Sequence, residues 1–118
     1  MEPATARKDT DRLPLPRDAF PRLAQDRPDY LALQMRYMSP GDKAHAALAL
    51  GAHGDGGVVV RTLLQVLDDH HTIVREAAVR GLAGHLAGPE VLARLRALAR
   101  NEQSPAVQEA LSDVLEGT

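Results

Sequence analysis

The eleven residues from Lys43 to His53 recur 32 positions later as Arg75 to His85, with basic, alanine, leucine, small and histidine positions falling in step. The residues that follow keep the same offset: Val59, Val60, Leu63 and Val66 fall on Val91, Leu92, Leu95 and Leu98. A third partial copy comes one residue late, as Val74, Ala77, Ala78 and Leu82 return as Val107, Ala110, Leu111 and Leu115. A unit of this length is one supersecondary element. It has too few residues to enclose its own apolar face and buries it by stacking on its neighbours. The repeat therefore predicts an all-α fold, a short α-solenoid of stacked antiparallel helix pairs, for which a right-handed stack is the expectation.

The helical reading of each unit comes from period. In Val58 to Leu67 the apolar positions Val59, Val60, Leu63, Leu64, Val66 and Leu67 fit a repeat of 3.6, with Arg61, Thr62, Gln65 and Asp68 on the opposite face. Three consecutive valines favour a strand, but the aligned Val91-Leu92-Ala93-Arg94-Leu95 is plainly helical and decides the matter. The turn His53-Gly54-Asp55-Gly56-Gly57 separates the helices of one unit, and Gly88-Pro89 those of the next. Asp42 is expected to open the first alanine-rich helix. Thr72 is expected to cap the second, running to about Leu86, and Ser104 to cap Pro105 at the start of the last.

Ahead of the repeats, residues 1–16 mix charges and end in Leu13-Pro14-Leu15-Pro16, which predicts a disordered or extended leader. Residues 17–118 then form the repeat domain. Within it, 17–38 is a degenerate N-terminal unit or cap, 40–69 and 70–101 are repeats, and 102–118 is a C-terminal half-repeat that caps the array. Leu31 stands 32 residues before Leu63, which supports a first unit, while Pro21, Pro28 and two tyrosines depart from the later pattern. The last helix carries Glu102, Glu109, Asp113 and Glu116 without Lys or Arg, as a solvent-facing cap would.

These residues resemble the HEAT-repeat family, in particular its short bacterial form. The resemblance rests on Asp69 and on Ile73-Val74-Arg75-Glu76-Ala77-Ala78-Val79-Arg80-Gly81-Leu82, and it covers about residues 40 to 116. In that family a loop Asp and a helix Arg form a ladder of polar contacts along the stack. The resemblance assigns that role to Asp69 and Arg75, which are expected to orient the loop between repeats. Lys43 and Gln108 stand where Arg75 would recur and Asn101 where Asp69 would, so the ladder is expected to be full in one unit only.

No chemistry of the catalytic kind emerges beside this packing code. The chain has no cysteine, which excludes disulfides and thiolate metal sites. His53 and His85 hold equivalent places and should lie one repeat apart, about 10 Å, against ligand distances near 2 Å, so no shared metal is expected. Some HEAT-like enzymes hold iron through His-Glu dipeptides, and the residues after the five histidines here are Ala, Gly, His, Thr and Leu. Gly54-Asp55-Gly56-Gly57 precedes a helix as an anion site would, but no Lys, Ser or Thr follows as in a phosphate loop, and a plain turn accounts for it. No metal, cofactor or enzymatic activity is expected.

Composition narrows the partner. A formal charge of -2 and a set of aromatics limited to one Phe, two Tyr and no Trp count against nucleic acid. No apolar run is long enough to span a bilayer, the N-terminus has no signal-like apolar stretch, and a cytoplasmic protein is the expectation. Abundant Ala and Arg beside little Lys suggest a GC-rich bacterial genome. In families of this kind the polar side of the second helices lines the concave surface. On it lie Arg61, Thr62, Gln65, Arg94 and Arg100, the expected contacts to a protein or peptide, against the plainer reading of a solvated face. The leading expectation is thus a non-enzymatic interaction or scaffold module. An accessory or lyase-like subunit of an enzyme system, as HEAT-like modules in bilin lyases suggest, and a weak nucleic-acid binder are the alternatives, and homo-oligomerisation is left open.

Overall fold

The computed structural model describes residues 15–117. The expected leader falls outside the described residues except for Leu15 and Pro16. A 3-10 turn at Arg17–Ala19 leads into α1 (Phe20–Asp26), followed by α2 (Pro28–Met35), α3 (Pro40–His53), α4 (Gly57–Val66), α5 (Thr72–Gly81), a second 3-10 turn at Leu82–His85, α6 (Pro89–Asn101) and α7 (Pro105–Glu116). Among the described residues there is no strand, and the Val58 to Val60 run is helical.

Local chemistry sets the boundaries. Ser39 caps the start of α3: its Oγ accepts the Asp42 N–H at 3.3 Å, with Pro40 in the first turn. The helix thus begins ahead of Asp42. Ser104 caps α7 in the expected way, accepting the Val107 N–H at 3.5 Å ahead of Pro105. Thr72, by contrast, is the first helical residue rather than a cap. Gly56 turns the chain into α4 with a φ of 93°, a conformation in which a Cβ is strained, and Asp55 Oδ1 accepts the Gly56 N–H at 2.8 Å. A carboxylate of the chain itself therefore sits at that helix start, where an anion site was considered. α5 gives way to a 3-10 turn at Leu82 instead of continuing to Leu86, and Gly81 and Gly84 weaken the helix there.

The helices form two layers. In one, α1 packs on α3, α3 on α5, and α5 on α7; in the other, α2 packs on α4, and α4 on α6. We refer to these as the A and B helices. Leu31, Leu63 and Leu95, one from each B helix and spaced 32 apart, are all fully buried, so each B helix presents the same register to the core. Phe20, Leu50, Leu82 and Leu111 fill the core from the A side. Small residues let the A helices approach closely. A Cβ placed on Gly51 would overlap the carbonyl oxygen and Cα of Gly81, so α3 and α5 touch main chain to main chain at this point. The His85 ring Nε2, 3.0 Å from the Gly51 carbonyl oxygen, donates to it and ties the 3-10 turn that follows α5 to the same spot.

Candidate functional site

Two polar arrangements stand out from this core, and the first holds the repeats together. Arg75 at the start of α5 donates from Nη1 to the main-chain carbonyls of Asp69 and His70, at 2.9 and 3.1 Å. Its other nitrogens form a two-pronged pair with Glu102: Nε to Oε1 at 3.0 Å and Nη2 to Oε2 at 2.9 Å. The Glu102 side chain is 3% exposed. It also accepts the Ser104 N–H at 2.9 Å, while its own carbonyl accepts from Gln108 Nε2 at 2.8 Å. One repeat earlier, the Asp69 carboxylate takes Lys43 Nζ at 3.1 Å and the His71 main-chain N–H at 2.9 Å.

Lys43, Asp69, Arg75 and Glu102 thus form a continuous polar line between neighbouring A helices and the loops beside them. This corrects the expectation of a ladder confined to one unit. Glu102, not Asn101, holds the place equivalent to Asp69, because the third unit begins one residue late, and Gln108 meets Glu102 as Arg75 meets Asp69. Glu102 is accordingly a buried ion-pair partner rather than part of a solvated acidic cap. The Arg75 guanidinium holds its carboxyl below the ordinary value of 4.5. For Asp69, burial pulls the pKa upward, but hydrogen bonds from His71 and Lys43 outweigh it and hold the carboxyl below 3.8.

The second arrangement is a groove of about 450 Å³ between two B helices. Val60 and Leu64 of α4 supply its apolar surface. Arg61, Gln65 and Asp68 rim it on the α4 side, Glu90 and Arg94 on the α6 side, and Gly57 lies at the start of α4. Arg94 reaches across to α4, with Nη2 3.4 Å from the Leu64 carbonyl oxygen and 3.4 Å from Asp68 Oδ2. Arg61 and Glu90 are exposed and form no ion pair with any described residue. Of the residues singled out from sequence, Arg61, Gln65 and Arg94 come together in this groove. Thr62 is half-buried and Arg100 exposed, and neither lines it. Glu90 and Asp68 are groove residues that period alone did not select as contacts. Their place follows from the α4 to α6 packing, in which Arg94 spans the two helices.

A family model for HEAT repeats matches residues 28–116. The chain belongs to the HEAT-repeat family. The match begins at the first residue of α2 and ends at the last residue of α7, so it takes in the groove and the polar line of the HEAT array together. Neither the curated proteins nor the solved structures contain a match to this chain. HEAT repeats generally mediate protein–protein interaction and are typically non-enzymatic. Among the described residues no three His, Asp or Glu side chains converge as a metal site would require, and no helix is long and apolar enough to cross a membrane. His45 Nδ1 lies 3.0 Å from the Gly41 carbonyl oxygen, and His71 Nδ1 lies 3.1 Å from Asp69, so both rings are engaged in local contacts.

Proposed function

We propose that the chain is a non-enzymatic binding module, a right-handed stack in which α1 and α2 form the first unit, and that its B-helix face receives a protein or peptide segment. The supporting observation is the groove between α4 and α6. It offers apolar contact at Val60 and Leu64 beside Arg61, an exposed cation that no carboxylate of the described residues neutralises. Small apolar clefts with a few convergent polar groups are the usual form of a binding surface. Arg61, Gln65 and Arg94 are its contacts within the groove, and Thr62 and Arg100 are further contacts on the same two helices. A cytoplasmic setting suits a chain without cysteine.

The test is binding of individually purified partners, first retained by the native chain, to an Arg61→Glu/Arg94→Glu variant. Affinity should fall, while Glu109→Arg, at an exposed position of α7, leaves it intact. Equal binding by both variants would remove the B-helix face as the site.

A further inference from the structure

The described cations divide by layer. On the A side each one has a carboxylate partner: Arg17 with Asp42, Arg22 with Asp26, Lys43 with Asp69, Arg75 with Glu102, and Arg80 with Glu76 and Asp113. Arg27, between α1 and α2, pairs with Asp29, and Arg94 with Asp68. The described cations that form no ion pair with another described residue are Arg36, Arg61, Arg96 and Arg100, and all four lie on or at the end of a B helix. The B helices hold a single unpaired carboxylate against them, Glu90. Among the described residues the unneutralised positive charge therefore lies on one layer, in a chain whose net charge is -2.

The same layer carries exposed apolar surface at its other end. On α2, Tyr30 is 36% exposed and Leu33 50%, and just beyond the helix Tyr37 is 76% exposed. Because Leu31, Leu63 and Leu95 share one buried register, their neighbours fall in rows across the layer. Tyr30 lines up with Thr62 and Arg94, Leu33 with Gln65 and Ala97, and Arg36 with Asp68 and Arg100. The apolar positions of α2 thus continue the rows that bear the groove. An exposed Leu–Tyr cluster in such a place is informative in a way that a scattered surface leucine is not.

We propose that the occupant of this layer is a short acidic amphipathic peptide segment, its apolar side chains on Tyr30 and Leu33 and its carboxylates at Arg61 and Arg100. This rests on the reading of the B-helix face as the binding surface and adds the chemistry of what binds. Neighbouring packed helices lie roughly 8–10 Å apart, so the distance from α2 to α6 is roughly 16–20 Å. That is the length of a helix of roughly 11–13 residues. A single-stranded nucleic acid fits less well: beyond α2, the helices α4 and α6 carry no aromatic ring on which bases could stack, and Glu90 stands among the cations.

Selection of short random peptides displayed on phage against the folded chain tests this, with the selected peptides then synthesised and titrated in low and physiological salt. Enrichment of Asp and Glu around a Leu or aromatic residue is expected, with binding that weakens as salt rises. Affinity should drop roughly tenfold or more for an Arg61→Glu/Arg100→Glu variant, and separately for Tyr30→Ala/Leu33→Ser. These side chains are exposed or nearly so, and circular dichroism melts of each variant verify that the fold is kept. Selected peptides that are basic or uncharged, yet lose affinity in the variants, would overturn the acidic chemistry and leave the face standing. Acidic peptides that bind every variant equally would overturn the face itself. Tight retention of single-stranded DNA, lost in the Arg61→Glu/Arg100→Glu variant, would overturn the peptide assignment.

Discussion

Replacing Arg75 by Leu removes four hydrogen bonds that this one side chain makes, two to carbonyls of the preceding loop and two to Glu102. The decisive loss is electrostatic. With its side chain 3% exposed, Glu102 would keep its charge with only the main-chain N–H groups of Ser104 and Gln103 for company. Stripping one member from a buried ion pair typically costs about 3–5 kcal/mol. Against a domain stability of about 5–15 kcal/mol, that is a large fraction. Replacing Glu102 by Gln in the same background removes the orphan charge while retaining an acceptor for Ser104. The double variant is expected to recover about 1–3 kcal/mol relative to Arg75→Leu. Urea denaturation followed by circular dichroism at neutral pH measures all four corners of the cycle. A cost below about 1 kcal/mol for Arg75→Leu, or no recovery in the double variant, would refute the ladder as the link between the second repeat and α7.

Acid should probe the same line without mutation. Glu102 and Asp69 both titrate below their ordinary values of 4.5 and 3.8, so between folded and unfolded pKa the unfolded chain binds more protons. Their contribution is present above that window and is lost as pH falls through the lowered folded values. The melting temperature should therefore decline on acidification below about 4.5, and in Arg75→Leu the part due to Glu102 should vanish, because its cation is gone. Gly51→Ala should destabilise by about 1–3 kcal/mol or more despite alanine's better helix propensity, since its Cβ would meet the main chain of Gly81. Gly57→Ala meets nothing within 4 Å and should be neutral or stabilising in the same thermal melts.

Much of the architecture was legible because it rests on side chains that repeat. Leu63 and Leu95 mark the inward register of the B helices by spacing alone, and Leu31 extends it to a segment whose prolines obscure the pattern. The polar line was harder to read. A strict 32-residue offset lands on Asn101, whereas the one-residue slip visible at Val107 also moves the acidic position to Glu102. The Gly51 contact was hidden because a glycine inside an alanine-rich helix signals weakness as readily as close approach, and only its neighbour Gly81 distinguishes the two. The groove was half visible: helical period placed Arg61, Gln65 and Arg94 on one side, but which arginines are neutralised depends on carboxylates far away in sequence. Arg80, for example, is satisfied by Asp113, and Arg94 by Asp68.

The account turns on which layer of the array does the binding. Amide chemical-shift mapping of the isotopically labelled chain, titrated with a selected peptide or a purified partner, reads this residue by residue. Shifts gathered on α2, α4 and α6, largest around Leu33, Arg61, Gln65 and Arg94, with α3 and α5 quiet on their outer faces, are the predicted result. Shifts centred on the outer faces of α3, α5 or α7, with the α4 to α6 groove unmoved, would contradict it.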